Sequence, residues 1–92
     1  MGKYIVDLND KAGKEIKAHY KSGNKASINK LEKILQELSA TPYEGTGKPE
    51  ALKHDLSGYW SRCINQKDCL VYKVYEKKVT VLVVAAMSHY TK

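Results

Sequence analysis

Residues 59–87 read YWSRCINQKDCLVYKVYEKKVTVLVVAAM, and this stretch decides the fold class. Three runs rich in β-branched and aromatic side chains, Tyr59–Ile64, Leu70–Tyr75 and Lys78–Met87, are separated by the polar turns Asn65–Asp68 and Glu76-Lys77. Runs of this length bounded by such turns predict consecutive strands. Strands joined by so few residues pair antiparallel, because a parallel return needs a crossover of a dozen residues or more.

Upstream, the pattern changes period. Tyr4-Ile5-Val6-Asp7-Leu8 predicts one further strand, ending at the helix-starting pair Asn9-Asp10. A first helix is expected from about Asp10 to Lys21, with Ala12, Ile16 and Tyr20 inward and Lys11, Lys14, Lys17 and Lys21 on the opposite face. Ser22-Gly23-Asn24 breaks it. A second helix, about Lys25 to Ser39, carries Ile28, Leu31, Ile34, Leu35 and Leu38 on one side, which is a core face. Thr41-Pro42 closes that helix, since proline lacks an amide hydrogen and restricts the residue before it. A loop from Tyr43 to Glu50 follows, punctuated by Gly45, Gly47 and Pro49, and Ser57-Gly58 marks the turn into the strands. The order β-α-α-β-β-β predicts an α+β fold, two helices packed on one face of a mainly antiparallel twisted sheet.

Ninety-two residues are enough for one domain, 1–92, with one core and one principal site. Sixteen Lys plus Arg against ten Asp plus Glu give a net charge of +6, which suits a polyanion or an acidic protein partner. The excess is even along the chain, eight basic to five acidic residues in both 1–40 and 41–92, so charge alone marks no groove. No apolar run approaches the roughly 20 residues of a membrane span, and Met1-Gly2-Lys3 leads into a strand rather than a signal peptide. Val6 stands where a myristoylation motif wants Ser or Thr. A cytoplasmic protein is expected. Two cysteines are too few for a secreted disulfide scaffold.

The segment TPYEGTGKPEALKHDLSGYWSR (41–62), together with Leu70-Val71-Tyr72 and the terminal pair His89-Tyr90, resembles the YoeB branch of the RelE-like bacterial toxins. No one of these motifs is specific; their order and spacing are. The resemblance implies the RelE-like fold and an endoribonuclease that cuts messenger RNA on the ribosome. In that reaction the ribose 2′-hydroxyl attacks the adjacent phosphate and expels the 5′-oxygen of the next nucleotide, with no metal and no cofactor. The partners implied are an antitoxin of the YefM/Axe kind, the ribosome with its messenger, and operator DNA only through the antitoxin. No membrane is involved, and a homodimer is left open.

Carried onto this chain, the resemblance makes Glu50 the general base and His89 the general acid. Tyr90 would stack on a splayed base or orient the backbone, and Lys53, Lys48 and His54 would contact phosphates. Arg62 could hold a phosphate with two donors, although alternation along its strand sets it on the opposite face from Cys63. Trp60 reads as core. Without the resemblance, Glu50, Lys53, Lys48 and His54 are ordinary solvated side chains, and a histidine near a chain end is idle or structural.

Cys63 and Cys69 stand where the family generally has arginines. A thiol cannot supply the bidentate donors that hold charge on a scissile phosphate, and a thiolate would repel it. Loss of one such donor costs about 10²–10³ in rate, so attenuation is expected, the alternative being an inactive antitoxin-binding corepressor subunit. Two other uses of these residues are a disulfide across the 65–68 turn, which requires a hairpin loop of odd length and is disfavoured in a reducing compartment, and a cysteine–histidine or metal site with His54 and His89.

Overall fold

The computed structural model describes residues 3–88. The chain runs β1 (Ile5–Leu8), α1 (Asp10–Ser22), α2 (Lys25–Leu38), β2 (Glu50–Ala51), a 3₁₀ turn (His54–Leu56), β3 (Tyr59–Cys63), β4 (Cys69–Tyr75) and β5 (Thr80–Ser88). The five strands form one sheet in the order β1-β5-β4-β3-β2. The β1–β5 pair is parallel, and the other three pairs are antiparallel. The expected α+β architecture is therefore present, with β2 added. That strand is two residues long, Glu50 opposite Ser61 and Ala51 opposite Trp60, too short to leave a period in the sequence.

Both helices begin where a side-chain amide caps them. Asn9 Oδ1 accepts from the Ala12 amide at 2.8 Å, and Asn24 Oδ1 accepts from the Ser27 amide at 3.1 Å. Gly23 ends α1 at φ 73°, a left-handed cap open to glycine at little cost. Ala12 and Ile16 of α1 and Leu31, Ile34 and Leu38 of α2 pack against Leu70, Tyr72, Val81, Val83 and Ala86 of the sheet.

The inward face of α1 differs from expectation at one position. Tyr20 is 45% exposed and donates from its hydroxyl to Glu32 Oε2 at 3.1 Å, whereas His19 is buried. At about 100° per residue, the step from 12 to 19 returns to within roughly 20° of the same face, and the step to 20 overshoots by roughly 80°. Geometry selects the histidine over the more apolar tyrosine.

His19 and Glu15 complete the sheet. The parallel pairing of β1 stops at Leu8–Val83, leaving the last residues of β5 without a strand on that side. Glu15 Oε1 accepts from the amides of Ala86 (2.7 Å) and Met87 (3.0 Å), and His19 Nε2 lies 2.7 Å from the Ala86 carbonyl oxygen. A carbonyl only accepts, so Nε2 carries the proton. Side chains of α1 thus satisfy backbone groups that would otherwise be lost inside the fold.

Candidate functional site

The helices cover one face of the sheet, and the site lies on the other. Its construction starts at the end of α2. Glu37 accepts from the Thr46 amide at 2.7 Å and the Thr46 hydroxyl at 2.8 Å, and its Oε1 is 2.9 Å from Arg62 Nη1. Arg62 also donates to the carbonyl oxygens of Thr41 and Glu44 and, from Nε, to the Tyr72 hydroxyl at 3.1 Å. Tyr72 in turn donates to the Pro42 carbonyl at 2.5 Å. Burial would raise the Glu37 carboxyl, but the two Thr46 hydrogen bonds and the charges of Arg62 and Lys33 outweigh it and hold the group below the usual range.

Arg62 is therefore corrected from a phosphate ligand to an anchor. Its side chain is 0% exposed, and alternation along β3 turns it to the helix side, where its guanidinium fastens residues 41–46. A second fastening lies further along the same loop. Gly47, at φ 87°, accepts from the Cys63 amide at 2.9 Å, and a Cβ there would meet the Cys63 carbonyl oxygen at 2.8 Å. Only glycine allows this approach to β3.

With the loop pinned at both points, the next residues fall across the exposed face of the sheet. Lys48, Glu50, Ala51, Leu52, Lys53, His54, Leu56, Ser61, Cys63 and Cys69 line one cleft of about 560 Å³. Glu50 is half-buried on β2, opposite Ser61 of β3. Lys48 and His54 have φ of 51° and 59°, two of the three non-glycine residues with positive φ among those described. Such conformations cost on the order of 1 kcal/mol each and persist where surrounding contacts impose them. A carboxylate, two lysines and a histidine around one cleft form a site that can hold an anion beside a proton acceptor. Among the described residues no three of His, Cys, Asp and Glu group to hold a metal ion.

The cleft brings together Glu50, Lys48, Lys53 and His54 of the residues named from sequence, together with both cysteines. His89 and Tyr90 lie outside the described residues. Trp60 packs against the core from the helix side, its ring centroid 5.1 Å from that of Tyr43. Ser61 escaped the sequence reading, although alternation from Cys63 along Tyr59–Ile64 was sufficient to assign it to the site face. Leu52 and Leu56, the apolar wall of the cleft, carried no signal, because isolated leucines in an irregular segment have no period. Glu37 lay hidden on a helix where its spacing marks only a solvated position.

Cys63 and Cys69 are directly opposed in the β3–β4 register, their Sγ atoms 3.0 Å apart, and both stand as thiols. The connecting loop, Ile64 to Asp68, has the odd length that facing side chains require.

A two-helix layer over a mixed sheet is also the fold of solved small bacterial toxins. The YoeB/ParE toxin from Agrobacterium tumefaciens superposes with a TM-score of 0.82 at 27% identity, over 94% of this chain and 99% of that one. The model of the YoeB-like toxin of bacterial type II toxin–antitoxin systems matches residues 10–90, and the chain belongs to that family. It is 40% identical to toxin YoeB of Escherichia coli O6:H1 over 72 residues, 78% of this chain and 83% of the relative. The toxin in the YoeB–YefM complex from Staphylococcus aureus is 31% identical, with a TM-score of 0.76 over 95% of this chain and 98% of that chain.

Proposed function

We propose that this toxin is a ribosome-dependent messenger RNA endoribonuclease working by metal-independent acid–base catalysis, attenuated by its two cysteines. The observation that carries this reading is the convergence of Glu50, Lys48, Lys53 and His54 on one cleft. Glu50 takes the proton of the 2′-hydroxyl, and Lys48, Lys53 and His54 bind phosphates. His89 returns a proton to the leaving 5′-oxygen, and Tyr90 orients the RNA by stacking. The roles of His89 and Tyr90, which lie outside the described residues, rest on the family resemblance of the terminal pair.

Among the described residues the cleft lining contains no arginine, and two thiols occupy part of its floor. This composition favours attenuation and keeps the antitoxin-binding corepressor as the second reading. An antitoxin of the YefM kind covers the basic surface in either case. The YoeB–YefM complex of Staphylococcus aureus supports that partner.

The deciding experiment is messenger cleavage in a translation extract by the chain and by its Cys69→Arg variant. Weak cleavage by the former and cleavage raised by about 10²-fold or more in the latter are expected. Intact messenger with both proteins, alongside tight antitoxin binding, leaves the corepressor reading in place.

A further inference from the structure

We propose that Cys63 and Cys69 are a redox modification site, closing an intrachain disulfide between β3 and β4 on the floor of the cleft. The inference rests on hairpin geometry and is independent of the nuclease reading. The Cys63 amide donates to Gly47, on the β2 side, while the next residue, Ile64, donates to Asp68 across the hairpin. The Cys63–Cys69 pair is therefore a non-hydrogen-bonded one, in which opposed Cα atoms stand about 4.5 Å apart and side chains approach most closely. That spacing lies inside the range disulfides span, and the Sγ separation of 3.0 Å leaves about 1 Å to a bond.

The turn holds the thiols in place. Asn65 Oδ1 accepts from the Lys67 and Asp68 amides at 2.8 and 2.7 Å, and its Nδ2 donates to Ser27 Oγ of α2 at 2.9 Å. Accessibility divides the roles. Cys63 is exposed and Cys69 is buried, 7% accessible, so an oxidant meets Cys63 first and Cys69 resolves.

The oxidant is a low-molecular-weight disulfide. The Cys63 thiolate attacks one of its sulfurs, forming a mixed disulfide and expelling one thiolate. Cys69, having lost its proton, attacks the Cys63 sulfur and expels the second. Two protein thiols are oxidised, one disulfide is reduced to two thiols, and the two protons end on those thiols. The bridge would be reversible, because one of its sulfurs faces solvent.

The test equilibrates the full chain in buffers of graded reduced and oxidised glutathione, quenches with acid, alkylates remaining thiols and reads intact mass. Expected is one transition in which both thiols become protected together, with a mass lower by two hydrogens. Cys69→Ser is expected to take up a single glutathione instead, and Cys63→Ser to remain unmodified while folded. In denaturant the wild-type pair should need an oxidised-to-reduced ratio higher by roughly tenfold or more, since the fold no longer holds the sulfurs together. Thiols that remain alkylatable in the most oxidising buffer overturn the proposal. So do a stable glutathione adduct or chain-to-chain bridge on the wild type, or equal midpoints with and without denaturant.

Discussion

Arg62 and Glu37 meet 2.9 Å apart, the guanidinium fully buried and the carboxylate a quarter exposed, and together they fasten the loop that leads into the cleft. The pair joins the C-terminal end of β3 to the last turn of α2. Through Thr46, Thr41 and Glu44 it fixes the chain just before Lys48 and Glu50. Removing one partner leaves a charge inside the protein that nothing neutralises. Glu37→Ala is expected to lower unfolding free energy by about 3–5 kcal/mol in urea titrations, and unchanged stability would show the clamp to be dispensable.

The same clamp sets an acid limit. The Glu37 carboxyl is held below its ordinary value of 4.5 in the folded protein, so the unfolded chain binds the proton more readily. Its contribution to stability is complete above that value and is lost as pH falls through the folded one. The urea midpoint should therefore decline as acid is added below pH 4.5, and more shallowly in Glu37→Gln. Parallel slopes for both proteins would assign the acid sensitivity elsewhere.

At the alkaline end the corresponding group is Tyr43. Burial, and then its hydrogen bond to Glu76, push the phenol up to about 12 from 10.0. A raised value means stability that is complete below 10.0 and is lost as pH rises toward about 12. Tyr43→Phe should flatten this part of the stability profile, a difference that denaturant titrations across the alkaline range resolve.

Gly47 is the position where a single methyl group should disturb the cleft. Alanine there combines a φ of 87° with a Cβ 2.8 Å from the Cys63 carbonyl oxygen. A loss of about 1–3 kcal/mol is expected for Gly47→Ala. Amide exchange should quicken at Cys63, whose hydrogen bond to Gly47 the substitution displaces. Wild-type stability and exchange would mean that the loop tolerates the methyl group.

For activity, Glu50→Gln keeps the shape of the side chain and removes the proposed base. Cleavage in the translation extract should fall by about 10²–10⁴-fold with antitoxin binding retained. Cleavage at the wild-type rate would remove Glu50 from the chemistry.

Sequence alone determined the elements whose signal is local. The helix stripe Leu31, Ile34 and Leu38, the cap at Asn9, and the three strands from Tyr59 onward follow from side-chain period and from short-range hydrogen bonding. The motif spacing around Glu50, Lys53 and His89-Tyr90 likewise carries the family resemblance. Only the tertiary structure decided what Arg62 binds, that His19 rather than Tyr20 is inside, and that Glu37 anchors the site loop. It also decided that the two cysteines face one another on the cleft floor. These outcomes depend on partners far apart in the chain: Glu37 and Arg62, His19 and Ala86, Gly47 and Cys63. A pattern of residues records what one element prefers, whereas a buried charge or a facing thiol is fixed by the neighbour that folding brings to it.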